Sequence, residues 1–346
     1  MSVIAVLFGG QSSEHPVSLM SAASVLNNLD EKYTKYMVGI TTDGRWYHYT
    51  GSIDKIENGQ WQEDENNQEV ILSASNVHHG FYNLKTNKID RVDAIFPILH
   101  GKYGEDGSIQ GLCYLSGIPC ISTNMTTCAI AMDKEFTHII CEDAGIKMAR
   151  YLVYKKDNCP SFEEMFKEVK EKLHLPCYVK PAREGSSFGA HKIKDYDDFV
   201  KYVDDAFSYD EKILLEEFID GTEVGCGVLG TDTTGEVYEV VVETEMYGYA
   251  EKYDGYKTKI YVPAINISKE MQDEVNRLGV KIANILECDV LARVDFFNSS
   301  KGLIFNEVNT IPGFTSHSLY PAMFKASGIG YKELLNRLIE LKLKDK

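Results

Sequence analysis

The chain has 346 residues, a formal net charge of −16 and an ordinary apolar content of 44%. That length exceeds one compact core and predicts two or three domains. The acidic balance, with no long basic run, argues against nucleic acid or an anionic membrane as the main partner, so a bound anionic ligand would need the Lys and Arg residues gathered in one place.

In chain order, "SVIAVLFGG" is a continuous apolar run ending in two glycines, the pattern of a buried parallel strand entering a turn. "SSEHPVSLMSAASVLNNL" has helical apolar spacing. "YMVGITTDGRWYHY" reads as a second strand and a Gly turn, and "VDAIFPILHGKYGEDGSIQGLCYLSGIPCIS" as strand, polar loop, helix and strand. The first stretch therefore predicts a small α/β layer domain with loops gathered at strand ends. "TCAIAMDKEFTHIICEDAG" predicts a helix with a Gly stop. "ARYLVY", "PCYVKPA" and "HKIKD" read as strands of a second domain, with "CPSFEEMFKEVKEKL" a helix between them. "KILLEEFIDGTEVGCGVLG" and "VYEVVVETEMYGY" are alternating strands of a third. "SKEMQDEVNRLGVKIANILEC" is an amphipathic helix, "VLARVDFFNSSKGLIFNEVN" a β-hairpin and "GYKELLNRLIELKLK" a closing helix. Neither repeats nor a low-complexity linker interrupt the pattern.

The eight cysteines form no CxxC pair and sit in runs such as "GLCYL" and "GIPCI". They read as buried thiols of a reducing compartment, not a disulfide frame or a zinc site. "VIAVLF" is too short for a signal-peptide apolar region and lacks a basic leader, and no stretch approaches membrane-spanning length. A cytoplasmic protein is expected.

The hairpin is the most informative segment. Taking "NSSKG" (298–302) as a five-residue loop sets Phe297 opposite Leu303 and Arg293 opposite Glu307. Alternation then puts Arg293, Asp295, Glu307 and Asn309 on one face. The residues between are apolar apart from Asn306. Asp, Glu and Asn without His or Cys form an oxygen-donor set, suited to Mg²⁺ or Mn²⁺ rather than zinc. A salt-bridged structural face is the competing reading; the polar loop "TIPGFTSHS" that follows favours the metal.

"KPAREGSSFGAHK" (180–192) ends a strand on a cation and then discards side-chain bulk. Small residues let backbone N–H groups approach an anion. With Lys134 in "MDKEF", the candidate ligand is a nucleoside triphosphate. Neither a GK[ST] core nor a GxGxxG fingerprint is present, so the nucleotide is expected between sheets, clamped by lysines and a glycine-rich loop. Glu216 and Glu223 in "LLEEFIDGTEV" are spaced to accept from an adenine or ribose, although that pair taken alone reads as solvent-exposed charge at a strand end.

Together, "FGGQSSEHPVSL", "HGKYGEDGSIQG", "MDK", "VKPAREGSSFG", "EEFIDGTEVGCGVLG", "EKY", "ARVDFF" and "NEVNTIPGFTSHS" resemble the D-alanine–D-alanine ligases of the ATP-grasp superfamily, over essentially the whole chain. The resemblance implies an α/β and α+β fold of three domains: an N-terminal α/β substrate-binding domain (1–122), a central ATP-grasp domain (123–219) and a C-terminal catalytic domain (220–346). It implies ATP with two Mg²⁺ (or Mn²⁺) as cofactors, a homodimer, and a place in peptidoglycan precursor synthesis. In such ligases ATP phosphorylates the carboxylate of one D-alanine, and the amine of a second attacks the acyl phosphate. Carried onto this chain, Asp295, Glu307 and Asn309 hold metal. Lys134, Lys180 and Ser187 hold phosphates, with Glu216, Glu217 and Glu223 at the adenosine end. Arg293 and the N–H of Gly313 form the oxyanion hole. Glu14 binds the first ammonium, with a helix N-terminal charge as its alternative. His100 lies near the first substrate, or is structural. Ser318 receives the second carboxylate. Ser186, Lys252 and Tyr253 close a lid with Glu14, excluding water.

"EKY" points to an amine as the second nucleophile, hence D-alanine or D-serine. Resistance-type relatives tend to carry Arg where Leu319 stands, which favours D-alanine. Pro16 and Gly248 depart from the family pattern near expected substrate contacts, and one hydroxyl is hard to reject in a pocket, so a D-alanine–D-serine ligase of vancomycin-resistance type is the alternative. A carboxylate–amine ligase for another amino acid, a non-catalytic nucleotide-binding regulator and a dinucleotide-dependent dehydrogenase are the remaining readings. The first shares the metal and phosphate residues but not the set Glu14, Ser186 and Tyr253. The second would be expected to lose metal ligands or Arg293, and the third lacks its fingerprint.

Overall fold

The computed structural model describes residues 1–185, 188–243 and 257–344. Three sheets organise these residues. The first begins with β1 (Ser2–Gly9), buried on both faces as its unbroken apolar run requires. Helix α1 (His15–Asn28) follows, with Pro16 in its first turn, where the missing N–H costs no helical hydrogen bond. β2 (Tyr33–Ile40), β3 (Trp46–Tyr49), α2 (Ile53–Glu57), β4 (Gln68–Leu72), β5 (Gly80–Asn83), β6 (Lys88–Arg91), β7 (Ala94–Ile98) and α3 (Ser108–Ser116) complete the unit. The sheet order is β6-β5-β4-β3-β2-β1-β7, and β1 runs parallel to both β2 and β7. Alternate side chains of β1 feed opposite cores: Ile4, Val6 and Phe8 join α1, whereas Ala5 and Leu7 join Ile109 and Cys113 of α3. The helices thus lie on opposite faces, and the crevice at the carboxyl ends of β1 and β7 is a topological switch point.

Next come α4 (Met125–Met132) and α5 (Lys134–Asp143), then β8 (Tyr151–Lys155), α6 (Phe162–Lys172), β9 (Cys177–Pro181), β10 (His191–Ile193), α7 (Tyr196–Tyr209) and β11 (Lys212–Glu217). The strands form an antiparallel sheet, β10-β9-β11-β8. α6 starts at a reciprocal capping box between Ser161 and Glu164. It shares a core with α7 through Met165, Val169, Phe199 and Val203.

The third sheet contains β12 (Gly221–Leu229), β13 (Thr233–Thr234), β14 (Tyr238–Glu243), β15 (Lys257–Tyr261), β16 (Leu291–Ser299) and β17 (Gly302–Asn309). Its order is β15-β14-β12-β16-β17, with β13 on β12. α8 (Lys269–Ile285) covers one face through Val275, Ile282 and Ala283. α9 (Leu319–Ala326) and α10 (Tyr331–Leu343) return to the first unit, where Phe324, Leu335 and Leu338 share the core of α1 and β1. Each such fully buried Leu or Phe contributes about 1.5–3 kcal/mol.

Several expectations are corrected. The single helix over 127–145 is two helices, because Asp133 leaves helical geometry and its side chain caps α5, accepting from the Glu135 N–H. The strand read in "IPCIS" is one bridge, Ile95 to Cys120. The hairpin closes more tightly than a five-residue loop: Ser299 pairs Gly302, whose φ of +95° suits only glycine. Phe297 consequently faces Ile304 and Arg293 faces Asn309. A register shift next to Asp295 leaves Asn306 without a ladder partner, and this bulge restores the phase: Asp295 pairs Glu307, and the four polar residues still share one face. Strands β3 to β6 and helices α7 and α9 add to what the sequence pattern predicted.

All eight cysteines are free thiols; six are buried as expected, and Cys120 and Cys159 are half-buried. Among the described residues no helix is long and apolar enough to cross a membrane.

Candidate active site

A cleft of about 1240 Å³ runs between the second and third sheets and ends on the switch point of the first. At one end, β11 projects Glu216 and neighbouring β9 projects Lys180. Their charged atoms are 2.7 Å apart. Lys180 also donates to Asn306 Oδ1 across the cleft at 3.2 Å, so the bulge joins the two sheets. Burial works against both charges. The Glu216 carboxylate nevertheless holds the Lys180 ammonium above its usual range, and Lys180 holds Glu216 below the carboxylate range. The second oxygen of Glu216 is buried and has no hydrogen-bond partner. His138 Nε2 is 3.8 Å from it, too far for a hydrogen bond, and burial keeps that imidazole neutral. An orphaned acceptor of this kind calls for a donor from a bound molecule. Glu217 lies at the cleft edge, held by Arg150 at 2.7 Å.

Lys134 stands at the start of α5. Its N–H donates to the carbonyl of Ala182 at 3.0 Å and its Nζ to that of Glu184 at 2.6 Å, fastening the helix to the glycine-rich loop. Asp133 and Glu135, on either side, grip buried Lys212 at 2.6 Å each.

The hairpin supplies the middle of the cleft. Arg293 holds the Asp295 carboxylate with Nη2 at 2.9 Å and Nε at 3.0 Å. Asn309 donates to Asp295 at 3.0 Å and approaches Glu307 at 3.4 Å. The Tyr238 hydroxyl bridges Asp295 at 2.8 Å and Glu223 at 3.1 Å. Burial, opposed by Arg293 and reinforced by Glu307, raises Asp295; burial together with Asp295 raises Glu223. Burial opposes ionisation of Glu307, but Lys134, Lys180 and Arg293 together hold it below the usual range. Two carboxylates and a carboxamide thus share one corner, with the acidic Glu223 behind them. No group of three or more His, Cys, Asp or Glu side chains is placed to hold a metal among the described residues. For an ion at this corner the third oxygen donor available is Asn309, whose amide would have to turn its oxygen away from its present bond to Asp295.

At the switch point, Glu14 occupies the N-cap position of α1 but makes no side-chain cap. Its carboxylate instead lies between two glycines: a Cβ at Gly101 would sit 2.8 Å from Oε2, and one at Gly185 3.4 Å away. Glu14 thus stands at the α1 N-terminus, as the helix-charge reading expects, and also lines the cleft. His100 is buried and neutral. Gly313 adjoins the same end, and a Cβ there would meet the Ser318 hydroxyl at 2.8 Å. That hydroxyl accepts from the Thr315 N–H at 3.0 Å at the start of α9. Pro16 is exposed, and its neighbour Val17 lines the cleft.

The family described as D-ala D-ala ligase N-terminus matches residues 3–123, and D-ala D-ala ligase C-terminus matches residues 140–340. The chain belongs to the D-alanine–D-alanine ligase family. It is 42% identical to D-alanine–D-alanine ligase B of Clostridium tetani, over 99% of this chain and 94% of that one. It is 40% identical to the D-alanine–D-alanine ligase of Clostridium acetobutylicum, over 98% and 97%. Among solved structures, the VanG D-Ala:D-Ser ligase from Enterococcus faecalis superposes with a TM-score of 0.90 at 40% identity, covering 99% of both chains. These likenesses bear out the ATP-grasp architecture.

Twelve of the residues expected from this ligase family line the one cleft: Glu14, His100, Lys134, Lys180, Glu216, Glu217, Glu223, Arg293, Asp295, Glu307, Asn309 and Gly313. Ser318 adjoins it through Gly313. Leu319 is not among the lining residues; it packs, half-buried, against the core of α1 and α10. Ser186, Ser187, Gly248, Lys252 and Tyr253 lie outside the described residues. Among the cleft residues that sequence reasoning missed are Asn306, Glu105 and His138. Asn306 was visible as the polar exception in an apolar strand, and Glu105 as the acid within "HGKYGEDGS". His138 carried no signal beyond its place one turn after Lys134.

Proposed function

We propose that this chain joins two D-alanines into D-alanyl-D-alanine at the expense of ATP, through an acyl phosphate, for peptidoglycan precursor synthesis in the cytoplasm. The observation that carries the reading is that one cleft gathers an orphaned acceptor, cations, oxygen donors, Arg293, Gly313 and Glu14. Together they match adenine, phosphates, metal, oxyanion and substrate ammonium.

Glu216 would accept from the adenine amine and Glu223 from the ribose. Lys134 and Lys180 would hold the phosphates, with Ser187 of the glycine-rich loop assigned beside them. A carboxylate oxygen of the first D-alanine attacks the γ-phosphorus, the bond to the β,γ-bridging oxygen breaks, and ADP leaves. Glu14 would fix the ammonium of that substrate and His100 its near side. The neutral amine of the second D-alanine then attacks the acyl carbon. A C–N bond forms, the C–O bond to phosphate breaks, and one proton is released to solvent. Arg293 and the Gly313 N–H would face the oxygen that becomes negative between these events. Ser318, at the N-terminus of α9, would receive the second carboxylate. Ser186, Lys252 and Tyr253 are assigned to the closing lid. The donor set of Asp295, Glu307 and Asn309 fits two Mg²⁺ or Mn²⁺ ions, which supply charge neutralisation at the β- and γ-phosphates when bound.

Phosphate release with ATP, Mg²⁺ and D-alanine, followed by mass analysis of the product, tests the proposal. D-Alanine-independent release, or none, would overturn it. D-Serine as second substrate is the alternative, favoured by the likeness to VanG D-Ala:D-Ser ligase. Equimolar D-alanine and D-serine in the same assay separate the two.

A further inference from the structure

Glu105 is claimed by none of the roles above, yet it sits at the meeting point of two loops that carry them. After β7 the chain turns at Gly101, whose carbonyl accepts from the N–H of Gly104 at 3.1 Å and of Glu105 at 2.9 Å. The Glu105 side chain folds back so that Oε2 accepts from the Gly101 N–H at 2.8 Å. Its other oxygen, Oε1, accepts from the Ile311 N–H at 3.1 Å, 206 residues away in sequence. The carbonyl of the same Ile311 accepts from His100 Nδ1 at 3.2 Å, and Ser21 donates to His100 Nε2 at 3.1 Å. Bonding to a carbonyl fixes Nδ1 as the protonated nitrogen of the neutral ring. Both backbone groups of Ile311 are therefore held by the loop that follows β7.

Ile311 is two residues from Gly313, and Pro312 stands between them with its φ locked. Few rotations separate the clamped peptide from the Gly313 N–H. The far side of that N–H is fixed too: Ser318 and Thr315 close a turn, and the Tyr331 hydroxyl donates to the Phe314 carbonyl. Gly101, at the other end of the clamp, packs against Glu14.

We propose that Glu105 is a positioning residue for the ligation step: one carboxylate sets the distance between the loop that receives the first substrate and the backbone N–H that stabilises its oxyanion. The inference rests on the reading of Gly313 as oxyanion donor. Placement matters because a displacement of about 1 Å costs on the order of 10²-fold in rate. Both oxygens are needed. A glutamine keeps one acceptor and turns an NH₂ towards the other N–H, so either Gly101 or Ile311 is released. Burial pushes the Glu105 carboxyl up to about 7, with its N–H partners and Arg293 pulling down and Glu14 pushing up. It is the two bonds that hold it in place.

The test compares Glu105→Gln with the intact chain in ATP, Mg²⁺ and D-alanine, measuring phosphate and dipeptide separately, ADP affinity by calorimetry, and amide hydrogen exchange over 309–315. The expected result is a fall in dipeptide kcat of about 10²-fold, unchanged ADP affinity and KM for ATP, more phosphate released than dipeptide formed, and faster exchange at Ile311 and Gly313. Phosphate in excess of dipeptide marks an acyl phosphate that forms and is lost to water; a merely structural defect would lower both together. Wild-type kcat with tight coupling would overturn the inference, as would unchanged exchange at Ile311. If Glu105→Gln does not fold, Glu105→Asp keeps the charge, is one methylene too short to span both loops, and carries the same expectations. Failure of the intact chain to release phosphate with D-alanine would refute the ligase reading instead, and the exchange measurement would still test the clamp.

Discussion

Replacing Lys180 with Met separates the stabilising and proposed nucleotide-binding roles of the buried Lys180–Glu216 pair in the cleft. The Lys180 and Glu216 side chains are 18% and 7% exposed, with 2.7 Å between charges. At an effective dielectric constant of about 20, their gross attraction is 332/(20 × 2.7), about 6 kcal/mol. Desolvation offsets much of this in the intact pair, but the variant retains the cost of burying Glu216 without its partner, about 3–5 kcal/mol. His138 at 3.8 Å is neutral and recovers little. Urea unfolding should show a loss of that size near pH 7. Nucleotide affinity should fall as well, by about tenfold or more for one charge-assisted contact. The pH dependence has a definite sign. In the intact protein Glu216 lies below the usual range, so its contribution is present above the unfolded value of 4.5 and is lost as pH falls through the folded one. Without Lys180, burial alone raises that pKa, and the folded state takes up the proton first. The penalty should therefore shrink as pH falls from about 7 towards 4. A second change, Glu216→Leu, should restore most of the stability while ADP binding stays weak. A Lys180→Met protein as stable as its parent at neutral pH, or one whose penalty grows in acid, would refute the reasoning.

Gly101→Ala places a methyl 2.8 Å from Glu14 Oε2 at a φ of +68°. It should cost about 1–2 kcal/mol of stability and lower kcat/KM for D-alanine while ADP still binds; unimpaired D-alanine kinetics would detach Glu14 from the first substrate. Glu307→Gln, or chelation by EDTA of the unmodified enzyme, should abolish turnover without unfolding, and the variant should bind Mn²⁺ more weakly by calorimetry. Turnover at the parental rate in either case would remove the metal assignment. Leu319→Arg should shift the product of a mixed assay towards D-alanyl-D-serine. Because Leu319 packs against the core of α1 and α10, it should also lower the thermal midpoint by a few degrees. An unchanged product ratio would leave D-alanine without that support.

Most elements could be read from the sequence because their patterns are local. β1 is an unbroken apolar run, α6 opens on Ser161 and Glu164, and α8 has a helical stripe. What escaped depended on contacts distant in sequence or on single backbone angles. Asp133 divides one expected helix into two because its carboxylate prefers a cap and Lys212, from another strand, binds it. The positive φ of Gly302 shortens the hairpin loop, and no periodicity reveals that. The site was readable as residue types at spaced positions. The partner of Lys180 at Asn306 and the reach of Glu105 to Ile311 were not, since each joins segments more than 100 residues apart. Antiparallel β3 to β6 are short, and their half-buried faces give weak alternation.

The bulge at Asn306 bears on where the hairpin can change length. Two one-residue departures, a tighter loop and an extra residue in β17, cancel so that Asp295, Glu307 and Asn309 face one side. Deleting Asn306 would put Glu307 directly after Phe305 and still opposite Asp295, so Glu307 and Asn309 would keep their face while the bond from Lys180 was lost. A residue inserted between Glu307 and Asn309 would instead turn Asn309 towards α8 and its apolar core, unless it bulged in turn. The hairpin thus tolerates changes of length at the turn and at the bulge but not between its polar residues, and a homologue lacking the bulge should keep the polar face and lose the bridge between the sheets.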